Sequence, residues 1–187
     1  VCSGDTSYRY LQFVGNCAIG RKMSDILDKI SSYNIFNYLL PGSLFAIVAD
    51  TYSSYSLIQE DVLIGIFAYY FVGLVISRIG SLAIEPLLAK VGFLKYADYR
   101  DFVSASKADK KIDLLVEINN MYRTLLSLFV VLILFLLFDR LATGYATLRT
   151  FSPYVGLLGL VGLFLFSYRK QTDYIIKRVD AVKSRDS

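Results

Sequence analysis

The feature that most constrains this chain is the gathering of its apolar residues into long blocks. From Val62 to Ile84 the only charged side chain is Arg78. A helix of that length, at about 1.5 Å of rise per residue, crosses a hydrocarbon core of roughly 30 Å with some tilt. A soluble domain of 187 residues spreads its apolar side chains over many half-wet elements. Here they make up 55% of the chain, with a mean hydropathy of +0.49, in stretches too long to be half exposed to water. A bilayer is their natural solvent.

Three other blocks accompany this one. Tyr33 to Ala49 is short and interrupted by Pro41-Gly42-Ser43, so it is expected to bend. Leu125 to Phe138 is the most apolar but brief, which places Tyr122-Arg123 and Asp139-Arg140 near the interfaces unless the helix runs on through Leu141 and Ala142. Phe151 to Tyr168 opens with Ser152-Pro153, which suits a helix start because the first turn does not need the proline's missing N–H, and closes on Arg169-Lys170. The expected fold class is an all-α integral membrane protein with four transmembrane helices and a cytoplasmic helical linker between the second and third. Residues 23–187 form a single membrane domain that includes the linker, 85–122, and a basic tail, 169–187.

Charge placement orients these spans. No Lys or Arg lies between Asp50 and Asp61, and only Arg140 and Arg149 lie between the third and fourth blocks, so both short loops are expected outside. The segment between the second and third blocks carries Lys90, Lys95, Arg100, Lys107, Lys110, Lys111 and Arg123. The tail carries Arg169, Lys170, Lys177, Arg178, Lys183 and Arg185. Positive charge favours the cytoplasmic side, and Arg21, Lys22 and Lys29 before the first block agree, so both termini are expected in the cytoplasm of a bacterial inner-membrane protein.

In the linker, Leu87, Leu88, Val91 and Leu94 fall at helical spacing after Pro86, as in a helix lying on the membrane. A second helix is expected to begin near Asp109 and to run into the third span as one rod. Tyr174, Ile175, Val179 and Val182, set against Lys177, Arg178 and Lys183, extend the fourth span as an amphipathic basic helix that can pair with that rod. Val1 to Lys22 lack the run of a secretory signal, whereas Met23-Ser24-Asp25 reads like a natural beginning. Residues 1–22 are therefore expected to be disordered or absent from the native protein, and Cys2 and Cys17 within them imply no structural disulfide.

The search for chemistry excludes more than it finds. There is no His, which removes the commonest general base and metal ligand together. No phosphate-cradling Gly-rich loop and no acidic cluster at metal-binding spacing occurs. Neither enzyme activity nor a catalytic residue, metal or cofactor is expected. Arg78 and Glu85 stand out as intramembrane polar groups, since a guanidinium far from a helix end needs a partner or must reach the headgroups. Gly73, Ser77 and Ser81, and likewise Gly156, Gly159 and Gly162, form small-residue faces on which another backbone can approach, either within the chain or from another copy of a homo-oligomer. Lys107, Lys110, Lys111, Asp113 and Glu117 are candidate partner contacts. The basic runs are what the positive-inside bias produces, so no direct nucleic acid binding is inferred from them.

The stretch from Ser32 through Asn34-Ile35-Phe36-Asn37-Tyr38-Leu39-Leu40-Pro41-Gly42 to Phe45, with Glu117-Ile118-Asn119-Asn120-Met121-Tyr122-Arg123-Thr124 leading into an apolar span, resembles small four-span membrane proteins found with phage-defence genes. The family in question is KwaA, the membrane subunit of the Kiwa anti-phage system. The resemblance covers the layout from Met23 to about Tyr168 and leaves Val1 to Lys22 without a counterpart. It implies an inner-membrane oligomer that senses phage attack at the envelope and works with a soluble partner, KwaB, that acts on phage DNA. It carries over no catalytic residue. The reading is thus a membrane sensor and scaffold that recruits a soluble effector. The alternative is an ion-conducting pore or depolarising effector, with Arg78 and the first-span kink along its path.

Overall fold

The computed structural model describes residues 34–186. The expectations for Val1 to Lys22, Cys2 and Cys17 included, lie outside the described residues. Among those residues every regular element is helical. A π-helical segment, Ile35–Leu39, leads into α1, Leu40–Tyr52. After a loop comes α2, Val62–Ile79, which continues through a second π-helical segment, Gly80–Ile84, into α3, Glu85–Lys90. Then follow α4, Tyr99–Ala108, the long α5, Lys111–Gly144, and α6, Ala146–Asp186. Three helical stretches are long and apolar enough to cross a membrane: Val62–Lys90, Lys111–Gly144 and Thr147–Lys183. Such stretches suggest a membrane protein.

The ends of these helices follow from local chemistry. Asp61 caps α2, its carboxylate accepting from the Leu63 and Ile64 amides, and Asp98 and Asp109 do the same for the Arg100 and Lys111 amides at the starts of α4 and α5. The α3 helix stops at Gly92, whose φ of 77° only glycine takes without strain. There the Phe93 amide bonds back to the Leu88 carbonyl and the Gly92 amide to that of Ala89, closing the orphan carbonyls of the last turn. The rod expected to rise from the linker into the third apolar block is α5, and it does run on past Asp139 through Leu141 and Ala142.

One helix start differs from expectation. Ser152-Pro153 does not open α6, which begins at Ala146 and carries Pro153 inside it. The proline cannot donate to the Arg149 carbonyl one turn back, and the Ser152 hydroxyl takes that place at 3.1 Å. The first block contains a π-helical turn, after which Pro41 sits in the first turn of α1, where its missing N–H is harmless.

The core lies between α1, α2 and α5, where Phe45, Ala49, Ile76, Leu128 and Leu132 are buried together and Phe45 meets Phe135 edge to face at 5.3 Å. In a bilayer, apolar burial between helices gives little net drive, so close packing and polar contacts must hold them. Glycines provide the closeness. A Cβ on Gly73 would strike the Tyr38 carbonyl, and one on Gly42 the Tyr69 carbonyl, so the first helical stretch and α2 touch backbone to backbone. By contrast, α6 stands largely apart, with only 6% of its apolar window buried. It meets α2 where Phe71 stacks on Phe164 at 6.2 Å.

Candidate functional site

Polar side chains gather at three levels along α5. At the loop end, where residues 53–61 join α1 to α2, Asp139 is buried and accepts from the Ser54 hydroxyl at 2.5 Å and its amide at 3.2 Å. Asp50 holds the same loop from the other side, accepting from the Leu57 and Ile58 amides. Both aspartates are spent on fixing a turn.

Midway, Thr124 is fully buried, with its hydroxyl 2.8 Å from Asn37 Oδ1, 3.1 Å from Ser77 Oγ and 2.9 Å from the Asn120 carbonyl. One hydroxyl hydrogen serves one acceptor at a time, and the Ser77 hydroxyl has a hydrogen of its own to close its contact. The hub joins the first helical stretch, α2 and α5 in the position where a buried amide would otherwise go unmet.

The third level is the most highly charged. Glu85, at the junction of the π-helical segment and α3, accepts from the Arg123 guanidinium of α5 at 2.9 Å and lies 3.5 Å from the Lys170 ammonium of α6. Lys170 also donates to the Ser81 carbonyl at 2.6 Å and the Ser81 hydroxyl at 2.9 Å. The wide π turn delivers Ser81 and Glu85 to neighbouring helices at once, and such turns recur at functional positions. Arg123 approaches this turn beside Gly80, where a Cβ would strike the Ser127 hydroxyl. Beside the cluster, Arg78, Ser81, Ser167 and Lys170 border a cavity of about 20 Å³. The Ser167 hydroxyl and the Arg123 Nε are buried without a hydrogen-bond partner among the described residues. Just below, in the linker, burial and then the Glu85 charge push the Tyr96 phenol upward.

The structure sorts the residues singled out by sequence. Arg78 and Glu85 fall within the same charged level, Glu85 as its anion and Arg78 on the cavity. Gly73, Ser77 and Ser81 each meet a different neighbour, the Tyr38 backbone, Thr124 and Lys170 in turn. Gly156, Gly159 and Gly162 meet nothing within reach of a Cβ among the described residues. Lys107, Lys110, Lys111, Asp113 and Glu117 are all exposed near the start of α5. Sequence reasoning missed Asn37, Thr124, Asp139 and the joining of Arg123 with Lys170. Isolated polar residues at the edges of apolar blocks were the available signal. No family model, curated protein or solved structure matches the chain.

Proposed function

We propose that this chain is a sensor and scaffold subunit of a bacterial anti-phage defence system. In this reading it crosses the inner membrane four times with both ends in the cytoplasm, assembles as a homo-oligomer, and recruits a soluble effector through its basal helices. The observation that carries the reading is the overhang of α5 and α6. Their 34 and 41 residues give lengths of about 51 and 61 Å, well beyond the roughly 30 Å of a hydrocarbon core. The parts beyond the apolar windows carry exposed apolar side chains among charges: Leu114, Leu115 and Ile118 on α5, Ile175, Ile176 and Val179 on α6. Exposed apolar groups held on rigid rods outside the bilayer are what a protein partner covers. The candidate contacts Lys107, Lys110, Lys111, Asp113 and Glu117 flank them.

Other features support the finer parts. The fourth crossing is the Ile35–Leu39 segment plus α1, about 27 Å long at helical rise and packed by Gly42 against α2. The cytoplasmic placement of the overhang follows the Lys and Arg of the linker and tail. Self-assembly is supported by the uncovered glycine face of α6. The defence role rests on the resemblance to the KwaA family.

The test is purification in mild detergent of the chain co-expressed with the soluble product encoded beside it, followed by the mass of the intact particle. A defined oligomer carrying the soluble protein, lost from Leu115→Lys and Val179→Lys variants, is the expected result. A bare particle that ignores its neighbour, together with single-channel conductance in planar bilayers, replaces the scaffold with the pore.

A further inference from the structure

The charged level contains more cation than its own anion balances. Arg78, Arg123 and Lys170 converge there from α2, α5 and α6, and Glu85 pairs with the last two. Glu85 is committed to Arg123 and Lys170. Lys170 has three donors, and Ser81 together with Glu85 uses them. Arg78 forms no hydrogen bond or ion pair among the described residues, although it is only partly exposed and its guanidinium carries five donors.

The cavity beside Arg78 adds a second, independent sign. It is bordered by Ser167, which is 9% exposed and whose hydroxyl is buried with no partner among the described residues. A helical serine usually turns its hydroxyl back to the carbonyl one turn before, as Ser43 and Ser127 do here. Ser167 does not, and so keeps a donor for the cavity. Ser81 accepts from Lys170 through its hydroxyl and likewise keeps its own hydrogen. The space, about 20 Å³, admits one oxygen-sized atom. A water would satisfy the two hydroxyls but would leave the excess positive charge in place. An anionic oxygen answers both needs.

We propose that this cavity, between the π-helical segment and α6, is a phosphate site. One non-ester oxygen enters between the Ser167 and Ser81 hydroxyls, and the Arg78 guanidinium holds a second oxygen from outside. Lys170 contributes its charge, since its donors are taken. The remainder of the phosphate group stays at the mouth, because the cavity is too small for it. The level of the site, where apolar helix gives way to charged residues, is where phospholipid headgroups lie, and an anionic phospholipid or free phosphate would present the same oxygens. The site stands independently of any soluble partner.

The experiment uses the full chain in neutral detergent, with phosphatidylglycerol or inorganic phosphate added separately. Bound lipid is read by native mass spectrometry, and the thermal midpoint by tyrosine ellipticity. Wild type is expected to retain phosphatidylglycerol, with Arg78→Gln weakening it by about tenfold or more and Ser167→Ala by roughly fivefold, as befits one charge-assisted and one neutral donor. Retention of the lipid with no effect of phosphate assigns the oxygens to a headgroup. A midpoint raised by millimolar phosphate, and lost in Arg78→Gln, assigns them to the free ion. Should Arg78→Gln fail to fold, Ser167→Ala, which removes one oxygen from a helix, gives the same reading. Equal binding by wild type and both variants, or no response to either probe, overturns the proposal and leaves an ordered water in the cavity.

Discussion

Two glycines on equally small-residue faces should respond in opposite ways to the same added methyl group. At Gly73 a Cβ lands on the Tyr38 carbonyl, a backbone atom that cannot rotate aside. The first helical stretch must then retreat by roughly 1.5–2 Å to restore ordinary contact. That motion stretches the 2.8 Å contact between Thr124 and Asn37 beyond hydrogen-bonding range and separates the Tyr38 and Tyr70 rings, now 5.4 Å apart. Overpacking costs about 1–3 kcal/mol, the hydrogen bond about 0.6–1.5 and the ring pair about 0.5–1. The intrinsic helical gain of alanine returns up to about 1 kcal/mol. Gly73→Ala should therefore be less stable by about 1–5 kcal/mol. At Gly159 the same methyl meets open space, so Gly159→Ala in the monomer should be unchanged or more stable by up to about 1 kcal/mol. The assay is SDS-titrated unfolding in mixed micelles, dilute enough to keep the protein monomeric, followed by near-ultraviolet tyrosine ellipticity. A Gly73→Ala protein as stable as wild type, or a Gly159→Ala protein destabilised as much as Gly73→Ala, refutes the packing argument.

Other perturbations read the polar levels. Thr124→Val keeps the shape but leaves Asn37 Oδ1 buried without its hydroxyl partner, and the same titration should show a loss of about 1–2 kcal/mol. Glu85→Gln leaves Arg123 and Lys170 facing each other without their shared carboxylate, at side chains about one-fifth exposed; the expected loss is about 1–3 kcal/mol, seen as release of the α6 base in hydrogen exchange of residues 167–175.

The helices were legible because their signals are local. The α2 span, the rod of α5 and the short helix α3 each declare themselves by apolar runs, an Asp cap or a terminal Gly within a few residues of where they act. The junctions were not legible, for a different reason. Thr124 and Asn37 are 87 positions apart, and Lys170 and Ser81 are 89 apart. Periodicity within one helix tells which residues share a face and nothing of which neighbour that face meets. That is why two equally plausible glycine series divided, one against the Tyr38 backbone and the other against open space. Asp139 illustrates the same limit. Placed at the end of an apolar block it reads as an interface residue, while its burial comes from Ser54 in a distant loop. Pro153 read as a helix start because proline favours the first turn; Ser152, by occupying the Arg149 carbonyl, let the helix pass through it.

The way α6 is held follows from these contacts. Along its apolar half it lies against few side chains, with Phe164 on Phe71 as its aromatic contact, whereas near its base Lys170 is tied to Ser81 and Glu85. A helix held near its base, at Lys170 and again where Ala181 is buried, and only loosely along its apolar half has its tilt set by whatever touches that base and by whatever covers its open face. The same Lys170 lies next to the cavity assigned to phosphate and immediately before the projecting segment that bears Ile175, Ile176 and Val179. Under the scaffold reading, a change in the bilayer and a change in the docking surface therefore act on one lever. For either to move the other, each must bind the two tilts of α6 with different strength, since a ligand indifferent to them shifts nothing. Cutting the lever at Lys170→Met should consequently leave the uncovered glycine face of α6 as it is and abolish the dependence of partner binding on lipid composition. If that dependence survives in Lys170→Met, the coupling runs through α5 and its Arg123 instead.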